Sequence, residues 1–103
     1  MSLVTLRDVL GPAEKGHYAV GAFNANNMEI VQAIIEAAQE ERAPVILQAS
    51  QGAIRYAGLE HIVSLVKTAA LGADLPVVLH LEPWNGFRPG HALHSTRLQF
   101  GDV

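Results

Sequence analysis

Three short apolar runs, spaced about one strand-helix unit apart, limit what this chain can fold into. They start near residues 18, 44 and 76, which are 26 and 32 residues apart. Residues 18–23 (Tyr-Ala-Val-Gly-Ala-Phe) are largely apolar and bounded by turn formers. Pro44 opens the second run, Val45–Ala49, and Pro76 opens the third, which ends at Leu81. Runs of this length that are apolar at successive positions read as strands buried on both faces, as in parallel sheets.

The intervening segments have helical period. Ser2 or Thr5 can cap a first helix reaching about Lys15, with Leu6, Val9 and Leu10 on one side and Gly16 suited to the left-handed residue that ends helices. Asn24, Asn26 and Asn27 break the pattern after the first strand. Asn27 is placed to cap a helix whose first turn carries Glu29, an anion the helix dipole favours there. Met28, Val31, Ile34, Ile35 and Ala38 then recur on one face, while Gln32, Glu36, Gln39, Glu40 and Arg42 lie on the other. Ser50-Gln-Gly forms a loop, residues 53–56 a helical turn, and residues 58–70 a further amphipathic helix through Leu59, Ile62, Val63, Leu65 and Val66.

The order αβαβαβ, with crossover helices between doubly apolar strands, implies an α/β class with a parallel sheet covered by helices. Periodicity alone does not separate an open doubly wound sheet from part of a (β/α)8 barrel. A complete barrel needs about 200 residues or more, and the 103 residues here supply three units. The expectation is therefore a partial (β/α)8 TIM barrel, about the first three βα units. A nucleotide-binding version is set aside, because Gly21-Ala-Phe-Asn stands where a glycine-rich Gly-x-Gly-x-x-Gly turn would be needed.

Composition removes several functions. Half the residues are hydrophobic, which favours a packed core over disorder. A net charge of −3 and no Lys/Arg stripe leave no electrostatic case for a nucleic-acid partner. No run of 18 apolar residues exists to span a membrane, and no basic, apolar leader opens the chain. With zero cysteines there are no disulfides or thiolate metal sites. A cytoplasmic location is the expectation.

Several segments together resemble class II, zinc-dependent fructose-bisphosphate and tagatose-bisphosphate aldolases. They are Tyr18-Ala-Val-Gly-Ala-Phe-Asn24 with Asn27-Met-Glu-Ile-Val-Gln-Ala after it, Ala43-Pro-Val-Ile-Leu-Gln-Ala-Ser50, and Ala57-Gly-Leu-Glu followed by Leu75-Pro-Val-Val-Leu-His-Leu81. The resemblance covers residues 1 to about 82, in order. It implies a (β/α)8 barrel, Zn2+ as cofactor, and reversible aldol cleavage of a ketose 1,6-bisphosphate to dihydroxyacetone phosphate and glyceraldehyde 3-phosphate. Sugar bisphosphate or triose phosphate would be the ligand. The family's third strand ends in His-x-Asp-His-Gly, where the Asp moves the substrate proton and the second His holds zinc. This chain reads His80-Leu81-Glu82-Pro83-Trp84. Glu82 takes the acid/base position one methylene longer, and Pro83, at the ligand position, cannot bind a metal.

Residues at the carboxyl ends of strands are the candidates for ligand contact. By resemblance Asn24 and Ser50 contact the substrate. Read from the residues alone, Asn24 is a turn residue and Ser50 a helix N-cap. His80 and Glu82, two apart on a strand, point to one face, yet a lone carboxylate cannot stabilise an enediolate without a Lewis acid. His91 and His94 have helical spacing without a third ligand, and His17 and His61 read as solvated. No lysine falls on a strand, which argues against Schiff-base chemistry by Lys15 or Lys67.

Residues 83–103 carry neither helical nor strand period and contain two prolines in their first seven residues, so they are expected to be irregular. Their codons suggest a cause. If one extra base ends codon 82, stepping back by one base forces Asp at 82 and, because Trp has a single codon, Gly at 84. Position 83 then admits His. The expected domain division is residues 1–82 as aldolase-like barrel and 83–103 as an out-of-frame tail. The expected chain is truncated, inactive alone and self-associating, with a non-catalytic α/β module that binds a protein partner as the alternative. Sequencing the gene checks the tail: a shifted aldolase frame is expected, and an uninterrupted aldolase frame that needs no shift would refute it.

Overall fold

A computed structural model describes residues 3–81, so Glu82, His91, His94 and the tail lie outside the described residues. The elements are α1 (Leu6–Gly16), β1 (Ala22–Asn24), α2 (Met28–Glu41), β2 (Val45–Ala49), α3 (Gln51–Ala57), α4 (Leu59–Leu71) and β3 (Val77–Leu81). The strands form one parallel sheet in the order β1-β2-β3. Ala22, Phe23 and Asn24 pair with Ile46, Leu47 and Gln48, and Val45 through Ala49 pair with Val77 through Leu81.

This register separates two faces, because successive side chains on a strand point to opposite sides. Val45, Leu47 and Ala49 with Val77, Leu79 and Leu81 join the main core, which includes Val31 and Ile35 of α2 and Ile62 and Val66 of α4. Leu47, Val66 and Val77 are fully enclosed, and enclosing such a side chain contributes about 1.5–3 kcal/mol. The opposite face holds Ile46 and Val78, covered by Val9 of α1 with Val4, Leu6 and Val20 around it. In a (β/α)8 barrel the helices that connect strands lie outside. The face covered by α2 and α4 is thus the outer one, and the face closed at one end by α1 is the inner one.

Helix ends follow local chemistry. Thr5, not Ser2, caps α1 through a reciprocal pair: Asp8 N–H donates to Thr5 Oγ1 at 3.2 Å and Thr5 N–H donates to Asp8 Oδ2 at 3.1 Å. Asn27 caps α2 as the sequence implies, its Oδ1 accepting from Ile30 N–H at 2.9 Å. The left-handed residue after α1 is His17, at φ 58°, instead of Gly16, which is the last helical residue. Arg42 ends α2 the same way at φ 53°. In both cases the next residue's N–H reaches back five residues, Tyr18 to Ala13 O and Ala43 to Ala38 O, and these bonds hold a non-glycine residue in that conformation.

Other boundaries also differ from expectation. β1 is three residues long and exposed, not a buried strand over 18–23, because it bonds to β2 alone among the described strands and Phe23 is 49% exposed. Asn24 therefore belongs to the strand. Leu10, expected on the buried side of α1, is 42% exposed, and Ala13 takes its place in the core. The turn expected at 53–56 is the full helix α3, joined to α4 by Gly58 alone at φ 94°.

The His17→Gly and Arg42→Gly variants should each gain about 0.5–1 kcal/mol, since glycine adopts the left-handed region without steric cost. Gly58→Ala should lose at least that much, as its Cβ would meet His61 Nδ1 at 3.0 Å. Urea denaturation followed by circular dichroism checks all three.

Candidate functional site

The in-register pairing does more than divide the core. Asn24 pairs with Gln48 and Gln48 with His80, so these three stand in one row across the sheet. Gln48 lies two residues beyond Ile46 and His80 two beyond Val78, which puts the row on the inner face. An apolar floor of Ile46 and Val78 thus gives way to amides and an imidazole at the carboxyl ends of the strands, where ligands of such folds bind.

Within the row, Gln48 Nε2 donates to Asn24 Oδ1 at 3.5 Å, a long bond. His80 is half-buried, and its Nδ1 is enclosed without a hydrogen-bond partner. A buried ring nitrogen left unpaired is costly, so the structure singles out His80 as a group with unused capacity.

Beside the row, a cleft of about 430 Å3 opens between the carboxyl ends of β1 and β2, lined by Asn24, Asn26, Asn27, Ser50, Ile30 and Tyr56 among others. The fold therefore brings Asn24 and Ser50, separated by 26 positions in sequence, to one cavity. Ser50 is the N-cap of α3, its Oγ accepting from Ala53 N–H at 3.1 Å. Capping consumes an acceptor lone pair and leaves the hydroxyl proton free to donate. Asn27 is similar: its Oδ1 is committed to Ile30 N–H, leaving its Nδ2 protons. With Asn24 Oδ1 engaged by Gln48, all three side chains keep donors in reserve. The N-terminus of α2 adds the positive end of its dipole. The cleft therefore presents hydrogen-bond donors from Asn24, Asn27 and Ser50.

Gln48 is the residue that sequence reasoning passed over. Its signal was present: it is the one polar residue within Val45–Ala49. Glu82 lies outside the described residues, and His61, exposed on α4, has its Nδ1 2.8 Å from Ala57 O, so that nitrogen carries the proton and donates.

Among the described residues, no group of three His, Cys, Asp or Glu converges to hold a metal ion. Position 83, where the family's ligand would stand, is proline, which has no donor atom to offer. The described residues thus offer no donor set that fits the ion. Among the same residues, no helix is long and apolar enough to cross a membrane.

A three-stranded parallel sheet with its crossover helices on one face and a polar row at its carboxyl end has the architecture of a segment of a (β/α)8 barrel. Comparison with known proteins identifies the family. The profile described as "Fructose-bisphosphate aldolase class-II" matches residues 4–83. The fructose-bisphosphate aldolase of Geobacillus stearothermophilus is 46% identical over 90 residues, covering 84% of this chain and 31% of that protein. The plasmid-borne fructose-bisphosphate aldolase of Cupriavidus necator is 44% identical over 104 residues, covering 100% of this chain and 30% of the relative. Among solved structures, the YdjI aldolase of Escherichia coli K12 superposes with a TM-score of 0.81 at 27% identity, over 97% of this chain and 38% of that one. The chain belongs to the class II fructose-bisphosphate aldolase family, and it spans about a third of the length of the curated relatives it matches.

Ser50→Ala should destabilise by about 1 kcal/mol, whereas Ser50→Asp should keep most of the wild-type stability because aspartate also caps. Thermal melts of the two variants check this; equal losses would mean the Ser50 cap contributes nothing.

Proposed function

We propose that this chain carries the β1–β3 wall of a class II aldolase site and recognises the phosphate-bearing end of a ketose bisphosphate or triose phosphate through Asn24 and Ser50. The observation that carries the reading is the shared cleft, in which Ser50 and Asn24 have their acceptor atoms engaged by the protein and donors left over. Phosphoryl and carbonyl oxygens accept hydrogen bonds, so a polyoxygenated anion suits that lining, and the dipole of α2 favours its charge. The family in which the chain falls acts on sugar phosphates by name.

In the family an acidic residue at position 82 moves the proton, and a metal ion would supply the Lewis-acid stabilisation of charge, for which the described residues offer no donor set. Here Glu82 is the residue at that position, with Pro83 beside it. The chain's own contribution is therefore binding and orientation, with Asn24 and Ser50 fixing ligand oxygens at the strand ends. Within this reading, residues 1–82 are the aldolase part and 83–103 a tail of different origin. The substrate chemistry implies a cytoplasmic setting.

Self-association belongs to the same reading. The β1 edge is exposed, and an apolar groove of about 370 Å3 lies between it and α2, lined by Phe23, Ala33, Ile34, Ala37 and Val45 among others. Unpaired strand edges beside apolar surface invite pairing with another chain.

Dihydroxyacetone phosphate titrated calorimetrically into the purified 103-residue chain should bind, and Asn24→Ala and Ser50→Ala should each weaken it by about tenfold. Absence of binding, or binding that both variants leave unchanged, would contradict the proposal. The same polypeptide is expected to cleave no fructose 1,6-bisphosphate in added Zn2+; a rate proportional to protein and abolished by a chelator would overturn that. Sedimentation velocity should detect oligomers that Phe23→Lys dissociates.

A further inference from the structure

The polar row contains an asymmetry that the ligand reading alone does not explain. Gln48 stands between two register partners, Asn24 on β1 and His80 on β3. Its amide has one donor end and one acceptor end. The donor end goes to Asn24 Oδ1, although His80 Nδ1 on the other side is buried and has no partner. A glutamine turned the opposite way could serve that nitrogen and would then offer its oxygen to Asn24.

We infer that Gln48 is a positioning residue that fixes which end of the Asn24 amide faces the cleft. By occupying Asn24 Oδ1 it leaves Asn24 Nδ2 as the group presented to a ligand, so the ligand atom at this place must be an acceptor: a phosphoryl, carbonyl or hydroxyl oxygen. With the opposite orientation the same asparagine would present its oxygen and repel an anion. Gln48 itself is not among the residues that line the cleft, so its influence passes through Asn24. This inference deepens the proposed recognition of sugar phosphates and rests on it for the identity of the ligand, but not for the orientation of the amide.

Gln48→Glu discriminates, because a carboxylate can only accept and should turn Asn24 so that Nδ2 faces Glu and the oxygen faces the cleft. Gln48→Leu, close in volume, removes the bond without reversing it and serves as the folded control. Dihydroxyacetone phosphate should bind Gln48→Glu about tenfold more weakly than wild type, with Gln48→Leu between them. In an Asn24→Ala background the two Gln48 variants should no longer differ from each other or from their parent. Equal binding by wild type and Gln48→Glu would overturn the inference while leaving the proposed ligand intact, and so would a difference that persists without Asn24. A second readout needs no ligand: in wild type, the Asn24 Hδ2 protons should give NOEs toward the cleft residues Ser50 and Ile30, and in Gln48→Glu toward residue 48. Failure of dihydroxyacetone phosphate to bind wild type would remove the proposed function, and these NOEs would still decide the inference. Asn24 Hδ2 protons directed at Gln48 in wild type would refute it.

Discussion

Everything in this structure hangs on the register of β2 between its two neighbours. Five consecutive pairs with β3 and three with β1 fix which side chains face the helices and which face inward. A slip of one residue would exchange the two sets. Leu47 would leave its enclosed place between α2, α4 and the sheet, and Gln48 would enter it. Burying an unpaired amide there would cost about 1–3 kcal/mol, in addition to the lost apolar burial. The hydrophobic effect therefore sets the register, and the register assembles the polar row. Site geometry is a consequence of core packing.

The same constraint explains how much could be read in advance. The outer face was legible because Val45, Leu47, Val77 and Leu79 are apolar and their helices have clear period, so β2, β3, α2 and α4 emerge within a residue or two of their observed ends. β1 was misjudged because its composition is that of an interior strand, while among the described elements it bonds to β2 alone and lies exposed. The end of α1 was misjudged because glycine is the usual left-handed residue, whereas here backbone bonds from His17 and Tyr18 hold histidine in that conformation. At β1 the missing second partner among the described strands decided the outcome, and at α1 the local bonds of the helix C-terminus did.

The candidate site was legible in part. Asn24 and Ser50 stand at strand ends and take substrate contact from the resemblance to the aldolases, and the fold brings both to one cleft. The capping role of Ser50, read from its position alone, stands beside its place in the cavity, since a cap uses the oxygen lone pair and leaves the proton. Gln48 escaped notice because cross-strand partnership is not a local property. Its meaning appears once Asn24 and His80 are seen on either side. The acid/base position and the tail lie outside the described residues, and for them the sequence remains the guide: Glu82, Pro83 and Trp84 mark where the family's chemistry departs.

The most direct test of the account is an NMR determination of strand pairing in the purified chain. Cross-strand NOEs should connect the backbone of Gln48 with those of Asn24 and His80, and the Leu47 side chain should contact α2 or α4, with slow amide exchange at Ile46 and Leu47. A register displaced by one residue, with Gln48 packed beneath the helices and Leu47 on the inner face, would contradict it and dissolve the proposed site.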